Sequence, residues 1–133
     1  RHAGQHHRFF TEQAMALESS RDLRAVLFPP LLVLFFFGGF AAPTWFVLAA
    51  VASANVAWLM LATGIAYFLN YEFLHLAYHQ PPTHWMARVP GVARLAWLHR
   101  HHHAPSAMSR CNFNITYPIG DRLFGTLERP PGH

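Results

Sequence analysis

Hydrophobic and polar positions divide the chain into three stretches. Residues 1–24 are polar and rich in helix formers, residues 25–70 are almost wholly apolar, and aromatic, histidine and polar positions mix from residue 71 onward. One bilayer crossing takes ~20 helical residues, so the apolar stretch is long enough for two. Pro29-Pro30 suits the first turn of a helix, where the missing N–H costs little. The pattern predicts a first crossing at roughly 28–48 and a second at roughly 53–74. The turn between them falls at Ala52-Ser53-Ala54-Asn55, the most polar point of the run. A rival break at Gly38-Gly39 to Pro43 leaves the first helix short. Without that break, Pro43 kinks a crossing, which membrane helices tolerate. Upstream, Thr11 can N-cap a helix with Ala14 at N3, which lacks the acid of a capping box, and Ser20 offers a second start. An amphipathic helix lying on the membrane surface also fits residues 1–24. The expected class is all-α and integral to a membrane, a two-helix transmembrane hairpin carrying a cytosolic, histidine-rich helical cap.

Composition strengthens the membrane reading. The 133 residues, which suit one domain, are 53% hydrophobic and 12% charged. Between Arg24 and Arg88 only Glu72 is charged, and all ten basic residues are arginines outside that interval. Basic flanks around a charge-free core follow the positive-inside rule, whereas nucleic-acid binding would call for a basic stripe among polar neighbours. No nucleic acid is expected. The single cysteine, Cys111, excludes an internal disulfide framework. Arg1 is not an initiator methionine, so a longer parent chain is expected.

Histidine supplies the chemistry. His75 and His79 are spaced i, i+4 and share a helix face. His99, His102 and His103 form H-x-x-H-H, in which i and i+3 share a face and the adjacent residue points elsewhere, an arrangement able to serve two neighbouring metals. His2, His6 and His7 make a third group. Two crossings return the chain to its starting side, which would bring that group to the same membrane face as His75. Neutral imidazole ligates Zn, Fe, Cu and Ni. His84 and His133 stand alone and read as ordinary histidines, and His101 as the member of its run left out of the site. Glu72, on the stripe of His75 and His79, is either an interfacial carboxylate paired with an arginine or a group that orients ligands. Asn112, Asn114 and Asp121 either orient metal-bound histidines or build a turn over Pro118–Asp121.

Together, Leu74-His75-Leu76-Ala77-Tyr78-His79, His99-x-x-His102-His103 and the run from Asn112 to Thr126, ending D-x-x-F-G-T, resemble the fatty acid hydroxylase/sterol desaturase superfamily. The Phe28-Pro29-Pro30 entry to a hairpin adds to the likeness, which covers nearly the whole chain. The resemblance implies a membrane enzyme whose two irons activate O2 to hydroxylate or desaturate a lipid, with zinc as a substitute metal and an external electron donor, normally a redox partner protein. It implies His2, His6, His7, His75, His79, His99, His102 and His103 as ligands. The amino-terminal spacing, H-x-x-x-H-H, departs from the family's H-x-x-H-H and makes His2 less secure than His6 and His7. A further H-x-x-x-x-H box belongs upstream and is expected before residue 1. A multi-pass protein of the bacterial inner membrane or endoplasmic reticulum follows, with the histidines cytosolic. Hydroxylation is favoured over desaturation. Arg88, Arg94 and Arg100 fit an anionic head group, an acidic donor protein or plain positive-inside bias. The alternatives are a membrane metal-binding or transport protein, against which the apolar midplane speaks, and an inactive scaffold of the same fold.

Overall fold

The computed structural model describes residues 9–11 and 13–129. His2, His6, His7 and His133 lie outside them. Among the described residues the chain is helical, with no strand. In order come α1 (Leu23–Val26), α2 (Pro30–Leu34), a π-helical segment (Phe35–Ala41), α3 (Ala42–Val51), α4 (Ala54–Tyr78), a 3₁₀ turn (Trp85–Arg88), α5 (Val92–His102) and α6 (Ile119–Phe124).

Contacts divide these elements into two compact units, one of Phe28–Glu72 and one formed by Arg1–Leu27 together with Phe73–His133. Within the first, the helix starts at Pro30, with Pro29 as its cap, and runs without a break to Val51. The rival break at Gly38-Gly39 does not form. Its physical cause still leaves a mark. Pro43 has no N–H to give the carbonyl four residues back and crowds it, and the helix widens just before it, with Ala42 N–H reaching Phe37 O. The chain reverses at Ala52-Ser53, where the polar residues predict it, and α4 follows.

The two legs meet through large aromatic rings. Phe28 lies 5.3 Å from Tyr71, Phe37 5.6 Å from Phe68, and Trp45 5.1 Å from Trp58, between ring centroids. At the open end both Glu72 carboxylate oxygens accept the Phe28 N–H, at 3.2 and 3.3 Å. Between the legs is an apolar cavity of about 470 Å³ lined by residues that include Phe28, Phe37, Met60, Phe68 and Tyr71. The stretch Leu23–Val51, 29 residues long and scarcely buried, is long and apolar enough to cross a membrane.

In the second unit, α4 continues past the expected end at residue 74 to Tyr78. Leu74, Ala77 and Tyr78 pack with Met86 and Val92 into one core cluster, while Phe10, Met15 and Val26 form another. The helix suggested from Thr11 is not continued through residues 13–18. Thr11 caps a single turn, its hydroxyl accepting the Ala14 N–H at 3.3 Å. The following N–H groups go elsewhere: Leu17 donates to His79 O at 2.8 Å, and Glu18 and Ser19 to the Asp22 carboxylate at 3.0 and 2.7 Å. The Ser19 N–H is also the main reason the exposed Asp22 carboxyl titrates below its usual range.

Candidate metal centre

Two helix ends carry the histidines. His75 lies in the last turn of α4 with His79 just beyond it, and His99 lies in the last turn of α5 with His103 just beyond it. Pro105 follows, consistent with where α5 stops. A helix C-terminus holds partial negative charge, so both ends favour a cation. Burial of the five side chains His75, His79, His99, His102 and His103 is nearly complete.

The ring nitrogens of His75, His79 and His99 come within 4.8 Å of one another and can hold a metal ion. His99 Nε2 is 3.3 Å from His79 Nε2 and 3.1 Å from His103 Nε2. It is therefore the i, i+4 pair, His99 and His103, that meets directly. His102 turns its Nδ1 to Cys111 O at 3.2 Å and lies against Phe113.

Protons decide what such a cluster can do. His79 Nδ1 lies 2.8 Å from Met15 O, and His103 Nδ1 lies 2.7 Å from Phe10 O. A carbonyl oxygen only accepts, so in both contacts the ring nitrogen is the donor, and in a neutral ring Nε2 then carries a lone pair. Neutral His99 has at most one Nε2–H to aim at the two lone pairs flanking it. A cation placed between the rings would be met by those Nε2 lone pairs. The spacing fits as well: two imidazoles on one ion at ~2.0–2.1 Å sit about 2.9–3.4 Å apart. Backbone carbonyls that fix the outer nitrogen are the usual orienting partners of metal-bound histidine.

The surroundings are apolar and aromatic. Phe10 is buried against His79 with ring centroids 4.2 Å apart, and Tyr78 lies 5.3 Å from His99. Burial pushes the Tyr78 phenol well above its ordinary pKa, so it stays protonated, its hydroxyl donating to Thr116 O at 3.4 Å.

The other predicted residues have hydrogen-bond partners of their own. The Glu72 carboxylate accepts the Phe28 N–H. Asp121 accepts the N–H groups of Phe113 and Asn114, each at 2.9 Å, and the Thr126 hydroxyl at 2.7 Å, while Asn114 Oδ1 takes the Asp121 N–H at 2.8 Å. Asn112, at φ 52, accepts the Glu128 N–H at 3.0 Å. These residues build the loop that presents Cys111 O to His102. His84 caps the 3₁₀ turn through Nδ1, accepting the Met86 N–H at 3.4 Å. Sequence reasoning missed Phe10, Met15 and Cys111 as orienting partners. They act through main-chain carbonyls, which every residue possesses.

No protein-family model, curated protein or solved structure matches the chain.

Proposed function

We propose that the chain is the core of a membrane oxidoreductase that uses O2 and a histidine-held pair of irons to hydroxylate, or less readily desaturate, a lipid. The observation that carries this reading is the buried cluster of His79, His99 and His103, with His75 beside it. No side chain oxidises an unactivated C–H bond, and a redox metal in an all-imidazole site supplies that chemistry when bound. The chain's own residues do the rest. Met15 O and Phe10 O hold His79 and His103 with their lone pairs inward, and Cys111 O orients His102. Phe10 and Tyr78 exclude water around the rings. His102, together with His2, His6 and His7, completes the ligand set needed for a second ion.

Lipid is the favoured substrate because α2 to α4 form two apolar legs, read here as two crossings, with an apolar cavity between them. The exposed Arg88, Arg94 and Arg100 offer a surface for an acidic electron donor. A multi-pass protein with its histidines cytosolic follows from that reading.

The test uses the longest natural chain containing this sequence, purified and loaded with iron. It should hold about two irons and consume O2 with a reductant and lipid, yielding a product one oxygen heavier. His99→Ala should lose at least half of the metal and all turnover, while His84→Ala keeps both. Iron-loaded protein that oxidises no lipid, or equal losses in the two variants, would sink the proposal.

A further inference from the structure

His101, in the 99–103 histidine run, turns toward Trp97 and the tail after α6. Its ring stacks on Trp97, with centroids 5.1 Å apart and planes 12° off parallel, and its Nε2–H donates to Glu128 Oε2 at 2.7 Å. Cys111 Sγ completes a group in which one ligand atom from each of the three residues lies within 4.8 Å of the others. Each member is held differently: His101 by the indole, Cys111 by burial beside Ala104 and Ala107, and Glu128 by its N–H on Asn112 Oδ1. They come from three separate segments, the end of α5, the loop after it and the tail after α6.

We propose that His101, Cys111 and Glu128 are a second metal site, taking one divalent ion of zinc-like chemistry apart from the histidine cluster. One imidazole, one thiolate and one carboxylate are a donor set that a borderline-soft ion accepts, with a fourth position for water. The His101–Glu128 contact must open from 2.7 Å to about 3.3 Å for both to reach one ion. Glu128, with 55% of its side chain exposed, has room to withdraw. Burial, reinforced by the Glu128 carboxylate, pushes the Cys111 thiol up, so the metal-free site is protonated. Binding sends the thiol proton to solvent, the His101 Nε2 proton passes through water to Nδ1, and the freed Nε2 and the Glu128 oxygen each bond the ion in place of their N–H···O contact. The site would also staple the loop whose Cys111 carbonyl orients His102.

Cobalt(II) added to the full chain under reducing conditions tests this. Cys111 is the single cysteine, so a sulfur-to-cobalt charge-transfer band in the near ultraviolet reports this site alone. Cobalt held by the histidine cluster gives no such band. The band should appear in the wild-type chain and vanish in Cys111→Ser. It should need on the order of ten- to a hundredfold more cobalt in His101→Gln and in Glu128→Gln. Zinc should then bleach the band and slow alkylation of Cys111 at least tenfold. A wild-type chain that shows no band, or whose Cys111 is alkylated equally fast with and without zinc, overturns the proposal. Failure of the histidine centre looks different: bound iron is missing while the cobalt–thiolate band remains.

Discussion

Asp121 shows how much one side chain organises. Its buried carboxylate gathers two backbone N–H groups and a hydroxyl from both ends of the 113–126 loop. Gly125 ends α6 at φ 70 and lets Thr126 turn back to that carboxylate. The D-x-x-F-G-T pattern is thus a closure: acid, left-handed cap and hydroxyl in one circuit. Gly120 is constrained from the other side, since an added Cβ would meet Asn114 Oδ1 at 2.9 Å, the atom that receives the Asp121 N–H. Asp121→Ala should cost about 1–3 kcal/mol, because two part-buried N–H groups lose their acceptor. Gly120→Ala should cost about 1–3 kcal/mol through the clash. Unfolding midpoints of the detergent-solubilised chain measure both. A neutral Asp121→Ala would mean that the loop closes some other way. The motif was legible in the sequence, but its circuit was not, because linear spacing does not say which end of a loop a carboxylate faces.

At the level of elements, the place where the chain reverses was legible in polarity, and one stretch among the described residues, Leu23–Val51, is long and apolar enough to cross a membrane. Ser53 and Asn55 are the densest polar pair in residues 25–70, and the chain turns there. The π-helical segment did not show in hydropathy, since widening a helix exchanges one apolar neighbour for another. Thr11 misled because capping chemistry fixes one turn, while continuation depends on where the next N–H groups find partners. Those partners, His79 O and the Asp22 carboxylate, are tertiary or lie beyond the turn. Glu72 was open to two readings, and its carboxylate accepts the Phe28 N–H at the open end of the two legs. Glu72→Ala should destabilise the chain by about 1–2 kcal/mol. Glu72→Gln, which keeps one acceptor oxygen, should cost less. Neither should change metal content, measured by elemental analysis alongside thermal unfolding. Metal loss in Glu72→Gln with stability unchanged would return Glu72 to the metal centre.

For the whole molecule, the histidines and the apolar legs fall into different compact units, which gives metal binding a local signature. Metal at a hundred times its Kd should stabilise the folded state by about 2.7 kcal/mol. Amide exchange should slow in residues 13–27 and 73–111 and change little in 28–72. Uniform slowing along the chain would mean that the ion binds elsewhere or that the units unfold together. The i, i+4 spacing made the shared face of His75 and His79 readable, but in the second run the expected partner of His99 was His102, whereas His103 is the ring that meets it at 3.1 Å. The carbonyls that aim those rings had no signature. Substitutions at Phe10 and Met15 change packing but leave the acceptor oxygens in place, so alanine scanning passes over the aiming elements. The imidazoles are thus aimed by main-chain atoms that a pattern search built on side chains does not see.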